Sequence, residues 1–312
     1  MKASNLLDGS LLGAIVRLAL AVVLALMWRP SAAVAQGCVG SPIAIQILGS
    51  GGPFVNADRA SSSYLVWSGE QARVLVDAGG GAFFRFGQAR AKLSDLSLLA
   101  ISHLHPDHVS DLPALLWLSD VARQETLPIS GPSGNDVAPG FATFLGQLFN
   151  EKTGAFPMLG ATLGGAGRGV RLDIGVVDVA KREPSIVLDR PGIRVTAVNI
   201  PHGNVPALAY RVQFGAQAIV FSTDQNGTDP RFIEFARGAN VLVMHLAIAV
   251  GANNPLHAAP DVVGRVAQEA RVGRLVLSHI GQFDLDAAVA EVKKHYTGPL
   301  TVGVDMQCTP VP

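Results

Sequence analysis

Three histidines and an aspartate fall within six residues, as His103-x-His105-x-Asp107-His108, where the apolar run Leu96–Ser102 ends. No other feature of the chain constrains its fold as tightly. Imidazole and carboxylate are ligands for borderline cations such as zinc. A compact turn leaving a strand aims alternate side chains at two neighbouring points. His103 and His105 are thus placed to hold one ion while Asp107 and His108 hold another. Two ions ~3.5–4 Å apart can bridge a water, activate it and clamp a displacement transition state. The competing reading is a histidine-rich surface loop. Against it, His202 follows the apolar run Ile193–Val198, Asp224 follows Ala218–Ser222, and His279 closes Leu275–His279. Taken singly, His202 and His279 read as core or surface histidines, and Asp224 as a cap in the turn-rich Thr-Asp-Gln-Asn-Gly. Beside the main cluster they read as further ligands.

The rest of the chain repeats this rhythm of short apolar runs and turns. Ile43–Leu48, Ser63–Trp67, Arg73–Val76, Ala207–Val212 and Val241–His245 are strand-like, and residues 109–123, 231–237, 260–271 and 284–296 have helical patterning. Pro260 suits the first position of a helix, with Ala259 before it. Strands alternating with helices predict an α/β chain. A Gly- and Pro-rich segment at about 131–190 stands apart as a candidate insertion or substrate-facing cap. Asp77, after Leu75-Val76, is expected to hydrogen-bond backbone near the histidine turn, because a buried carboxylate must find donors.

The N-terminus is patterned for export. Lys2 and Arg17 precede the apolar run Leu18–Trp28, and Ala33-Val34-Ala35 offers a small-residue cleavage site. Eleven apolar residues are short for a membrane span and suit a signal peptide. The expectation is a signal over residues 1–35 cleaved after Ala35, a mature domain over 36–312 in the periplasm or medium, and no stable membrane span after cleavage. An uncleaved anchor is the alternative. In an oxidising compartment, Cys38 and Cys308 form an even pair that would bridge the two ends of the domain. The 24 basic and 24 acidic residues cancel. Removing residues 1–35 takes away Lys2, Arg17, Arg29 and Asp8 and leaves a slight acidic excess, which argues against a broad basic surface for nucleic acid.

Several stretches together resemble the metallo-β-lactamase-fold hydrolases, and within them the branch of ribonuclease Z and the secreted arylsulfatase-like enzymes. They are Leu48-Gly-Ser-Gly-Gly-Pro53, Leu75-Val-Asp77-Ala-Gly-Gly80, Ser102-His-Leu-His-Pro-Asp-His-Val-Ser-Asp-Leu-Pro113, Pro201-His202-Gly-Asn-Val-Pro206, Phe221-Ser-Thr-Asp224 and Leu277-Ser-His279-Ile280. The resemblance covers most of residues 43–307 and implies a four-layer αββα sandwich with metals at strand ends. It implies that His103, His105 and His202 hold one zinc, that Asp107, His108 and His279 hold the second, and that Asp224 bridges them. Manganese or iron would be alternatives to zinc. His257, in Pro255-Leu256-His257-Ala258-Ala259, matches a family histidine that protonates the leaving group, with a loop histidine before a helix as the competing reading. One stretch departs from the ribonuclease branch. Where that branch carries a His-Glu-Ala-Thr-like sequence, this chain reads Met244-His245-Leu246-Ala247-Ile248, without the acidic partner of the proton donor.

The function expected from these residues is that of an exported two-zinc hydrolase using a metal-bridged hydroxide, with Asp107 and His257 as catalytic groups. A small phosphodiester or sulfate ester is the substrate expected first. Ribonuclease Z-type RNA cleavage is the alternative, followed by lactone or β-lactam hydrolysis. A metal-binding protein without turnover fits less well, because the open-site ligand set is complete. Homodimerisation is left open.

Overall fold

The computed structural model describes residues 38, 40–118 and 125–312. The signal-like segment and its cleavage point lie outside the described residues. Strands buried on both faces need nearly continuous apolar sequence, and β1 (Ile43–Gly49) has it. Ile43, Ile45 and Ile47 point to one side, Ala44 and Leu48 to the other, and all are buried. β1 lies between β14 (Cys308–Pro310) and β2 (Ser63–Ser68), antiparallel to both. β2 pairs antiparallel with β3 (Gln71–Val76). β4 (Leu98–Ala100), β5 (Leu127–Pro132) and β6 (Leu172–Val177) follow in parallel, giving the order β14-β1-β2-β3-β4-β5-β6.

The second sheet is built the same way. β7 (Ser185–Arg190), β8 (Ile193–Ile200), β9 (Ala207–Phe214) and β10 (Gln217–Phe221) are successive antiparallel neighbours. β11 (Val241–His245), β12 (Leu275–Ser278) and β13 (Leu300–Val302) then add in parallel. The order is β13-β12-β11-β10-β9-β8-β7.

The helices are α1 (Ala82–Gln88), α2 (Pro106–Val109), α3 (Leu112–Leu118), α4 (Phe141–Phe149), α5 (Pro230–Ala236), α6 (Pro260–Glu269) and α7 (Leu285–His295). Three apolar clusters separate the layers. Ile45, Val74, Val195, Val212 and Val243 fill the space between the sheets. Leu75 and Leu99 pack behind the first sheet with Phe86 of α1, Leu115 of α3 and Phe141 and Phe149 of α4. Leu242 and Leu277 pack behind the second with Phe232 of α5, Val263 of α6 and Val292 of α7. The result is helix, sheet, sheet, helix: the expected αββα sandwich. Each such buried side chain contributes about 1.5–3 kcal/mol.

Helix starts follow the local chemistry. Asp229 and Asp284 accept backbone N–H bonds from Arg231 and Ala287, and Pro260 opens α6 after an Ala259 that makes no side-chain cap. Of the helical stretch expected over 109–123, Val109 ends α2, α3 covers Leu112–Leu118, and residues 119–124 lie outside the described residues. The segment 131–190 carries α4, a 3-10 turn at Pro157–Leu163 and the strands β6 and β7, so each sheet ends in one of its strands. Cys38 and Cys308 are joined by a disulfide with their Cα atoms 5.6 Å apart. Among the described residues, no helix is long and apolar enough to cross a membrane.

Candidate metal centre

The histidine turn is set by bonds on either side of it. Leu208 N–H donates to the Ser102 carbonyl (2.9 Å) and the Tyr210 hydroxyl to the Ile101 carbonyl (2.8 Å), tying the end of β4 to the second sheet. From there His103 and His105 leave the strand, and Asp107 and His108 sit in the first turn of α2. His202 follows β8, Asp224 follows β10 and His279 follows β12. Loops of both sheets therefore meet at one rim. Asp77, Thr223 and His279 hold left-handed backbone at φ 59°, 49° and 51°. Such conformations cost non-glycine residues energy and persist where the surroundings over-determine them, often at functional sites.

The ligating atoms converge. His103 Nε2 lies 3.1 Å and His202 Nε2 3.3 Å from His105 Nδ1. His103, His105, His202 and Asp224 each offer a ligand atom, and all four lie within 4.8 Å of one another. Asp107, His108 and His279 form a second group meeting the same limit. Asp107 Oδ2 stands 3.2 Å from His279 Nε2 and 3.5 Å from His108 Nε2. Asp224 Oδ2 lies 3.6 Å from Nε2 of His103, His108 and His202 alike, so one oxygen faces both groups.

The opposite ring nitrogens are held by bonds that fix the tautomers. His202 Nδ1–H donates to the Leu256 carbonyl (2.9 Å). His108 Nδ1–H donates to Asp77 Oδ2 (2.8 Å), and Ser102 Oγ, 3.0 Å from His103 Nδ1, donates to the same carboxylate. Asp77 also accepts the Ser102 N–H at 2.7 Å. It thus makes the backbone bond expected of it and orients His108 as well. Ser102 is a residue that sequence reasoning passed over, although it directly precedes His103.

The electrostatics call for positive charge. Burial opposes protonation of His108, but the Asp224 and Asp77 carboxylates outweigh it and hold that imidazole well above its usual range. His108 Nε2 is nevertheless buried without a hydrogen-bond partner among the described residues. Burial resists ionisation of Asp224, yet His279 and His108 hold the carboxyl well below its usual range. His103, His105 and His202 are pushed down, chiefly by burial. A divalent cation requires neutral imidazoles and ionised carboxylates; His103, His105 and His202 already meet this, a cation would take the place of the proton that the carboxylates hold on His108, and the residues present fit a pair of such ions.

His257 overlooks the cluster from the loop before α6. Its ring centroid is 5.5 Å from His202 and 5.4 Å from His279, and its Nδ1 is buried with no hydrogen-bond partner among the described residues. Burial lowers its pKa to about 4. Asp224, His257 and His279 also form a convergent group within 4.8 Å. Leu246, in place of an acidic residue, is fully buried. Gly52, in the turn after β1, abuts the site: a Cβ there would lie 2.4 Å from His279 Cε1. On the other side, Asn135, Val137, Asn199 and Asn204 line a recess of about 470 Å³ that reaches His202 and, among the described residues, has no lysine or arginine in its lining.

Fold and site together define a metal-dependent hydrolase of the metallo-β-lactamase fold. The chain belongs to the family described as the Beta-lactamase superfamily domain, which matches residues 72–280. It is 29% identical over 302 residues to ribonuclease Z of Mycolicibacterium paratuberculosis, covering 85% of this chain and 96% of that one. Among solved structures, the metallo-beta-lactamase fold protein YhfI from Bacillus subtilis superposes with a TM-score of 0.67 at 24% identity, over 86% of this chain and 99% of that one. The short form of human tRNase Z has the same TM-score at 18% identity, with the same coverage. These two likenesses speak for the fold.

Proposed function

We propose that this protein is a two-zinc phosphodiesterase that cleaves RNA in the manner of ribonuclease Z. The observation that carries the reading is the single Asp224 oxygen equidistant from three imidazoles of two ligand groups, with His257 beside them. The near full-length likeness to ribonuclease Z favours RNA over the small ester expected first from the sequence. When bound, the ions supply Lewis acidity toward the ester oxygens and activate water. The chain's own residues position them: Asp77, Ser102 and Leu256 orient the imidazoles, and His257 borders the ligand groups, where it would donate to a leaving oxygen once the charge of the bound substrate offsets the burial that lowers its pKa.

A small phosphodiester or sulfate ester is the second reading. Leu246 in place of an acidic partner favours it, as does the recess beside His202, which among the described residues has no cationic side chain to grip a phosphate backbone. The zinc-loaded protein should be given a precursor tRNA with a 3′ trailer, bis(p-nitrophenyl) phosphate and p-nitrophenyl sulfate. Precise trailer removal supports the RNA reading. Turnover of the small esters with an intact precursor replaces it with the second. No turnover of any of the three defeats both.

We also propose that the chain works outside the cytoplasm, on the strength of its signal-like N-terminus and its disulfide, a location that weighs for the small-ester reading and against a precursor tRNA as substrate. N-terminal sequencing of protein from the periplasm and medium tests this. A mature chain starting at Gln36 supports it, and recovery only from the cytoplasm with Met1 intact refutes it.

A further inference from the structure

An eighth polar contact of the centre comes from His245, the last residue of β11, which lies outside the seven proposed ligands. It is 4% exposed and stacks on His279, with ring centroids 4.5 Å apart and planes inclined by 18°. Its Nδ1–H donates to Asp224 Oδ1 at 2.5 Å. Its far edge is held as well: Nε2 is 3.2 Å from the Tyr64 hydroxyl, which is 2.9 Å from the Ser278 hydroxyl. The two oxygens of Asp224 are therefore unequal. Oδ2 faces His103, His108 and His202, each at 3.6 Å, whereas Oδ1 is engaged by His245 and lies 3.3 Å from His279 Nε2.

We propose that His245 is the positioning residue of the bridging carboxylate: by engaging Oδ1 it turns Oδ2 toward both ligand groups. A carboxylate has two equivalent oxygens and a soft terminal torsion. Without a fixed donor on one of them, Asp224 can rotate and serve one ion position at the expense of the other. Tyr64 and Ser278, on β2 and β12, hold the imidazole ring across the space between the two sheets. The proposal rests on the two-ion reading of the centre.

The test compares His245→Leu, His245→Asn and His245→Gln with the wild type. The Asn side chain places its amide nitrogen near the position of Nδ1, and the Gln side chain places its own near Nε2. Each protein is stripped with a chelator and re-titrated with zinc. Metal per chain is measured by mass spectrometry, affinity by competition with a chromophoric chelator, and folding of the metal-free protein by circular dichroism. Loss of a partner of a metal ligand typically costs 10–100-fold in affinity. His245→Leu and His245→Gln should lose roughly that factor, and His245→Asn should recover most of it. If Leu unfolds, the Asn and Gln pair decides the matter, since both keep a polar group. Zinc affinity unchanged in all variants, or Asn no better than Gln, overturns the proposal. A wild type that binds no zinc overturns the two-ion reading instead.

Discussion

At Asp224 a single oxygen lies 3.6 Å from three imidazoles that belong to two ligand groups. Replacing this residue by Ala would remove the anion that the proposed two-ion centre shares between its positions. Asp224→Ala should therefore bind neither ion tightly and lose turnover, as metal analysis and activity on one ester will show. One ion retained at wild-type affinity would mean that Asp224 does not bridge. His257 predicts a different pattern, because it lies outside the seven ligands. His257→Ala should keep its metal and slow substrates whose leaving group needs a proton, by the ~10²–10⁴-fold typical of general-acid assistance. A nitrophenolate leaving group should suffer far less, so equal losses on both substrates would remove His257 from the chemistry. Burial also sets a pH dependence for the metal-free protein. His245 and His257 titrate at about 3 and about 4 when folded, against 6.5 for a solvated imidazole, and His103, His105 and His202 are lowered too. The unfolded chain thus binds protons that the folded chain refuses. His108 alone among them is raised and works the other way. The stability of the metal-free protein should fall as pH drops through 6.5 toward 4, which thermal melts across that range will check.

Among the elements, those that carry the site were the most readable. The run before His103 is apolar because β4 is buried on both faces, and β10 and β12 deliver Asp224 and His279 for the same reason. The Gly-rich turn after β1 was readable as a turn, but its use was not. Gly52 is required for space, since a Cβ would lie 2.4 Å from the His279 ring. Gly52→Ala should displace His279 and weaken the second ion position with little loss of fold, measurable as zinc affinity against the melting temperature of the metal-free protein. The contact between Tyr64 and His245 spans 181 residues. No local pattern marks such a pair, because the sandwich, rather than either strand, brings the two together. The edge strands β6 and β7 were hard to read for a related reason. Each is only partly buried, so its sequence lacks the continuous apolar run of a central strand.

Over the whole molecule, each ligand group draws on both sheets. His103 and His105 leave the first sheet and His202 the second, and Asp107 and His108 are joined by His279. The Cys38–Cys308 bridge closes a loop of 270 residues. Chain-entropy models put the stabilisation from a loop of this size at about 5 kcal/mol. Cys308→Ser should therefore lower the melting temperature while leaving zinc stoichiometry intact, because β14 is an edge strand with β1, β2 and β3 between it and β4. β14 has a further consequence. It comes from the C-terminal half of the chain yet completes the sheet of the N-terminal half, where it is sulfur-linked to Cys38. The two halves meet at the exposed turn Lys181-Arg182-Glu183 between β6 and β7. A single tryptic cut there would leave a nicked protein that runs as one band without reductant and as two with it. Each fragment would keep one sheet with its helices, apart from the strand exchanged at β14. Reduced and separated, the pieces would form a split reporter in which recovery of zinc binding reads out their reassembly.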